Sequence, residues 1–178
     1  MFPNVAHLYR FIANKIRKAE SSIDDITWGS RTEYRNKDED DAYKDYVKAM
    51  ADTCQSGLVS YREISSLTNL HYFDRAYKFV ESNQYNYQLA YYDTSHVELP
   101  LMSYIIIDQK EVLLGFYRVP VFKDGEKQYL SITNPHVVAL FIDYYAVLWQ
   151  KADKLKEGRK IDKERLKKIR ETLEQLEK

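Results

Sequence analysis

The chain has 178 residues, a single cysteine, and 27 basic against 27 acidic side chains, for a formal net charge of zero. That balance argues against a strongly electrostatic footprint for duplex nucleic acid, and the lone Cys54 rules out an internal disulfide. The length suits one core plus an appendage, and 44% hydrophobic with 30% charged residues is an ordinary soluble mixture.

Pro3 can open a helix at its first turn, and Val5, Leu8, Ile12, Ile16 and Ala19 then recur at helical spacing. Residues 23–28 read as a short strand that stops at Gly29-Ser30. The polar, unperiodic stretch 31–41 reads as a loop, whose acidic run from Asp38 to Asp41 favours the positive end of the helix that follows. That helix covers 42–55, with Tyr43, Val47, Met50 and Cys54 along one stripe and Gly57 as its stop. A second strand is expected over 58–64. Asn69 can cap a third helix in which Leu70, Phe73, Tyr77 and Val80 share a face. A third strand over 86–92 places Tyr87, Leu89 and Tyr91 on alternate positions.

Residues 99–118 form the apolar centre of the chain. Tyr104-Ile105-Ile106-Ile107 runs into a polar tip, Asp108 to Glu111, and Val112-Leu113-Leu114-Gly115 runs back, which predicts a buried β-hairpin. Lys123-Asp124-Gly125 signals a turn, and 129–133 reads as a last strand. Asn134-Pro135 starts a helix with a broad apolar face of Val138, Phe141, Ile142, Tyr145, Leu148, Trp149 and Ala152. Its nearly apolar stretch, 137–149, is too short to span a bilayer, and the N-terminus lacks a signal-peptide pattern, so a soluble cytoplasmic protein is expected. Beyond Gly158 the charge-rich segment 161–178 spaces Leu166, Ile169, Leu173 and Leu176 three, four and three apart. This predicts a helix leaving the core, its seam packing on a protein partner or back on the domain. The element order implies an α/β fold, a mixed sheet flanked by helices on both faces over 1–157, with a C-terminal charged amphipathic helix over 158–178.

The hairpin resembles the signature hairpin of the phospholipase D superfamily, in which His-x-Lys-x-x-x-x-Asp leads into a Gly-Ser or Gly-Thr pair. Asp108 stands in the Asp place and Gly115 in the Gly place, whereas Ser103 fills the Lys place, Leu101 the His place and Phe116 the Ser or Thr place. The resemblance implies a single half-domain of that superfamily that has lost its nucleophile and its phosphate-binding cation. Such half-domains pair, so a homodimer is implied, with the tyrosine-rich strand 86–92 as a source of contacts.

Four residues are candidates for ligand binding. Ser103 and Asp108 belong to the emptied signature, Arg62 lies near the end of a strand where open α/β sheets place ligands, and Arg118 ends the second hairpin arm. His7, His71, His96 and His136 have no metal-ligand spacing, and with one cysteine no metal site and no cofactor are expected. Asp24 and Asp25 are adjacent in a strand and therefore point to opposite faces, which unsuits them as an acid/base pair. No nucleophile elbow, Walker loop or dinucleotide fingerprint occurs. The expectation is a non-catalytic phospholipase D-like interaction module, a homodimer acting on a protein partner or small ligand. The alternatives are a phosphodiesterase or nuclease with an atypical site, and a nucleic-acid-binding domain without catalysis.

Overall fold

The computed structural model describes residues 5–27, 36–82, 86–93, 102–116 and 128–177. In chain order the elements are α1 (Val5–Arg17), β1 (Ser22–Thr27), α2 (Lys37–Gln55), β2 (Ser60–Ser65), α3 (Leu70–Glu81) and β3 (Tyr87–Tyr91). There follow β4 (Ser103–Ile107), β5 (Glu111–Phe116), β6 (Gln128–Ile132), α4 (Pro135–Lys151), β7 (Asp153–Glu157), β8 (Lys160–Ile161) and α5 (Lys163–Leu176). The strands make one mixed sheet in the order β6-β5-β4-β1-β2-β3-β7-β8. β1, β2 and β3 run parallel, joined by α2 and α3, and β4 lies antiparallel against the other edge of β1.

Alternation along the central strands sorts the core into two layers. Ile23, Tyr61, Tyr87, Leu89, Ile105, Ile107 and Leu113 face α1, α2, α3 and α5. Ile26, Ile64, Ala90, Tyr104, Ile106, Val112 and Leu114 face α4. Near-continuous apolar runs in β4 and β5 are what a strand buried on both faces requires. No described helix is long and apolar enough to cross a membrane.

Four features depart from the sequence-based expectations. The stretch 31–41 is not all loop: α2 begins at Lys37 with Asn36 as its cap, so Asp38, Glu39 and Asp40 form its first turn. The Asn36 side chain accepts the Glu39 N–H at 2.9 Å, which seats those acids at the positive end of the helix. The charged C-terminal helix does not leave the core. Leu166, Ile169 and Leu173 of α5 are buried against the large core layer, and only Leu176 of that series is exposed. Between α4 and α5 the chain adds an unforeseen hairpin, β7 and β8, turning at Gly158 with φ +57°. The tyrosine-rich strand is also not a surface: β3 sits between β2 and β7, with Tyr87 and Leu89 fully buried. The turn 123–125 lies outside the described residues.

Candidate functional site

β4 begins where β1 ends. Ile26 pairs with Tyr104, so Ser103 stands beside Thr27 at the C-terminal ends of the parallel strands, the usual ligand position in an open α/β sheet. A cleft of about 50 Å³ opens there, lined by Ser103, Asp25, Arg75 and the tyrosines Tyr9, Tyr43, Tyr46 and Tyr72. These side chains come from α1, β1, α2, α3 and β4, and Ser103 itself is buried.

The polar floor of the cleft is a buried network. Tyr61 donates its hydroxyl to Asp25 Oδ2 at 2.8 Å, and Thr27 Oγ1 lies 3.4 Å from Oδ1. Directly opposite Asp25 in register on β2, Glu63 accepts from Tyr87 Oη at 2.8 Å and is paired with the Arg75 guanidinium. Burial, and then the neighbouring Glu63 charge, push the Asp25 carboxyl up to about 7, against the pull of Arg75 and the Tyr61 hydrogen bond. Burial disfavours charge on Arg75, but Glu63 together with Tyr46, Tyr43 and Tyr87 outweighs it and holds the guanidinium well above its ordinary value. Two acids therefore stand beside one cation, and Asp25 is the one without a direct ion pair to it.

Of the four residues singled out from the sequence, the three described ones do not converge. Ser103 is in the cleft. Asp108 is at the other end of β4, about 17 Å of extended strand away, where its carboxylate accepts the N–H groups of Glu20, Ser21 and Ser22 at 3.0, 2.7 and 3.1 Å. Burial opposes ionisation there, but those backbone donors overcome it and hold the Asp108 carboxyl below the usual carboxylate range. It pins the α1–β1 turn to the hairpin. Arg62 points to the opposite face of the sheet, under α4, where its Nε and Nη2 bind Asp24 at 2.7 and 2.8 Å. There it lies over the rings of Tyr145 and Trp149, 5.2 and 5.5 Å from their centroids. Arg118 lies outside the described residues, as do Leu101 and His96.

Asp25, Glu63 and Arg75 were not singled out. The available signal was an acid at matching height in two apolar strands, Ile-Asp-Asp-Ile and Tyr-Arg-Glu-Ile, each too costly to bury without a partner. Among the described residues, no group of three or more His, Cys, Asp or Glu side chains is placed to hold a metal ion.

The sheet, its antiparallel hairpin beside β1 and α4 on the far face make a phospholipase D-like α/β fold. No family model and no curated protein matches the chain, but solved structures do. The phospholipase D family member Nuc from Salmonella typhimurium superposes with a TM-score of 0.60 at 15% identity, covering 83% of this chain and 90% of that one. NucT from Helicobacter pylori gives 0.58 at 13% identity over 86% of this chain and 94% of its own. TrmBL2, an archaeal chromatin protein, gives 0.61 at 14% identity over 85% of this chain, which spans 52% of the chromatin protein's length.

Proposed function

We propose that the chain is a non-catalytic phospholipase D-like binding module that works as a homodimer on a small ligand or a protein partner. The observation that carries this reading is the make-up of the cleft at Ser103. The side chain in the family's Lys place is a buried serine, the guanidinium beside it is already paired with Glu63, and Asp25 adds a second acid. A phosphodiester needs a nucleophile and a spare positive charge, whereas this cleft offers a hydroxyl, an acid and a guanidinium already paired. Leu101, in the His place, has no lone pair to attack phosphorus. Losing both groups removes several orders of magnitude of rate and leaves little beyond background.

One observation favours the enzyme alternative. Asp25, with its carboxyl near 7, lines the same cleft as the Ser103 hydroxyl, the residue types of a base and a nucleophile. A nucleic-acid-binding role draws support from the fold shared with TrmBL2, which is described as showing a novel mode of DNA binding. The balanced charge of this chain weighs against it.

The test is an assay of the purified chain on bis-p-nitrophenyl phosphate, single-stranded DNA and a phospholipid, with and without divalent metal. The expected result is no turnover above buffer. Turnover that disappears in Ser103→Ala or Asp25→Asn overturns the non-catalytic reading. DNA retardation at physiological salt moves the assignment to the nucleic-acid alternative.

A further inference from the structure

The cleft at Ser103 is lined by one charge without an ion pair. Asp25 lines it and accepts only from neutral hydroxyls, Tyr61 at 2.8 Å and Thr27 at the long distance of 3.4 Å. Arg75, the one cation lining the cleft among the described residues, is paired with Glu63 on the neighbouring strand. With both acids ionised, Asp25, Glu63 and Arg75 together hold one net negative charge. A buried carboxylate without a counter-ion is costly, and either a proton or a bound cation relieves it.

The walls are the second observation. Tyr9 of α1 and Tyr43 and Tyr46 of α2 line one side, with the Tyr9 ring centroid 5.4 Å from that of Tyr43 and 5.6 Å from that of Tyr46. Tyrosine rings attract a cation, most of all one that also carries apolar atoms. The cleft already holds one such contact, the Arg75 guanidinium 5.6 Å from the Tyr72 centroid. Ser103 and Thr27 add hydroxyl oxygens, which accept from an N–H donor. An anion entering the same space meets Asp25 and no unpaired positive charge. A cavity of about 50 Å³ has room for a few non-hydrogen atoms.

We infer that the cleft at Ser103 takes the ammonium end of a small primary amine, with Asp25 as its counter-ion and the tyrosine rings beside its first carbon atoms. This rests on the reading of the cleft as a binding site, and it gives the ligand a charge opposite to that of a phosphodiester.

Asp25 also sets the pH dependence. The charged and titratable groups around it are Glu63 and Tyr61 of β2, Tyr43 and Tyr46 of α2, Tyr9 of α1, and Tyr72 and Arg75 of α3. Burial and then the Asp25 charge hold Tyr46 and Tyr61 well above the ordinary tyrosine value, and Arg75 is held above its own. Asp25, raised to about 7, is the group that changes charge near neutrality. An alkylammonium keeps its proton throughout that range. A cation that binds the ionised acid displaces its proton, so apparent affinity follows the ionised fraction and is about tenfold higher at pH 8 than at pH 6.

The experiment is an NMR titration of the full chain with n-propylammonium, n-propanol, propionate and potassium ion at constant ionic strength, following the Thr27 and Ser103 amides. So small a ligand is expected to bind in the millimolar range. n-Propylammonium is expected to saturate both amide shifts, at least about tenfold tighter than the other three probes and about tenfold tighter at pH 8 than at pH 6. Asp25→Asn keeps the side-chain shape and removes the charge, and is expected to abolish binding with a retained melting transition; the pH comparison on the native chain needs no variant. Absent binding, equal affinity for propanol, propionate or potassium, a pH-independent affinity, or a folded Asp25→Asn chain that binds as tightly overturns the inference. The phosphodiester assay separates the two readings. No turnover together with no amine binding removes the ammonium site alone, whereas turnover with amine binding intact removes the non-catalytic reading and leaves the ammonium site standing.

Discussion

Asp108 and Gln109 carry left-handed backbone, φ +52° and +56°, in the turn closed by the Lys110 N–H on the Ile107 carbonyl at 2.9 Å. Successive positive φ values make a type I′ hairpin turn, which normally calls on glycine or asparagine. Gln109 is exposed and carries this conformation without a compensating role, so Gln109→Gly is expected to stabilise the fold by about 0.5–1 kcal/mol in urea unfolding. Asp108 is different, because its carboxylate gathers three backbone donors. Asp108→Ala is expected to cost about 2–3 kcal/mol while leaving ligand binding at the cleft unchanged. Its aspartate was legible in the sequence as a family landmark, but its work is architectural, since the residues it binds lie 86 to 88 positions away. Asp25 was not legible, because a short acid within a strand reads as a solvated face until the facing helix is known. The two acids respond oppositely to pH. Asp108 has a lowered pKa, so its contribution is present above the ordinary carboxylate range and fades as pH falls through the folded value. Asp25 has a raised pKa, so the folded chain binds the extra proton, and stability falls as pH rises from about 4 to about 7, by up to about 1.4 kcal/mol per pH unit. Asp25→Asn mimics the protonated acid and removes this slope. Unfolding free energies measured between pH 4.5 and pH 7.5 should therefore be flatter in the variant, and an unchanged slope would assign the effect elsewhere.

Among the elements, α5 carries the clearest energetic statement. Its apolar spacing was read correctly, yet spacing alone cannot say whether a seam meets another chain or its own domain. The deciding feature is β7. Its Leu155 joins the large core layer, and its Lys156 is fully buried with Nζ donating to the Tyr87 and Gly158 carbonyls at 2.8 Å each. That anchors the β7–β8 hairpin to β3 and leaves α5 above it, where Arg165 reaches Asp153 at 2.6 Å. β7 escaped sequence reading because Asp-Lys-Leu-Lys-Glu has one apolar residue and follows a helix without an obvious break. Leu166→Ala or Leu173→Ala is expected to cost about 2–4 kcal/mol, whereas Leu176→Ala, at a 73% exposed position, should change stability by less than about 0.5 kcal/mol. Ending the chain after Gly158 exposes the surface that α5 covers, and a large fall in melting temperature is the expected result. Equal costs at Leu173 and Leu176 would place the helix away from the domain.

For the whole molecule, the two faces of the sheet are unequally covered. Among the described residues, four helices lie on one face and α4 alone on the other. α4 turns Val138, Tyr145 and Leu148 inward, but it also exposes Leu140, Tyr144 and Val147 at 67%, 46% and 48%. Leu130 of β6, paired with Leu114 and so on the same side of the sheet, is 50% exposed. The spacing of 140, 144 and 147 sets these residues on one outer stripe of the helix, which solvent alone does not favour. In the proposed homodimer this stripe, rather than the buried strand β3, supplies the apolar contacts. An isologous interface pairs the stripe with its own copy, so a single substitution acts twice. A standard interface needs roughly 800 Å² per partner, more than three side chains provide, and the sheet surface around Leu130 is the natural extension. The substitution pair Leu140→Glu and Val147→Glu puts two charges on each side, four across the axis, and costs the folded protomer little because both positions are already exposed. Sedimentation equilibrium should give a dimer of the native chain and a monomer of the double variant, with the same melting transition at concentrations where the native dimer is dissociated. A native chain that sediments as a monomer at high micromolar concentration, or a double variant that remains a dimer, removes α4 as the dimer surface.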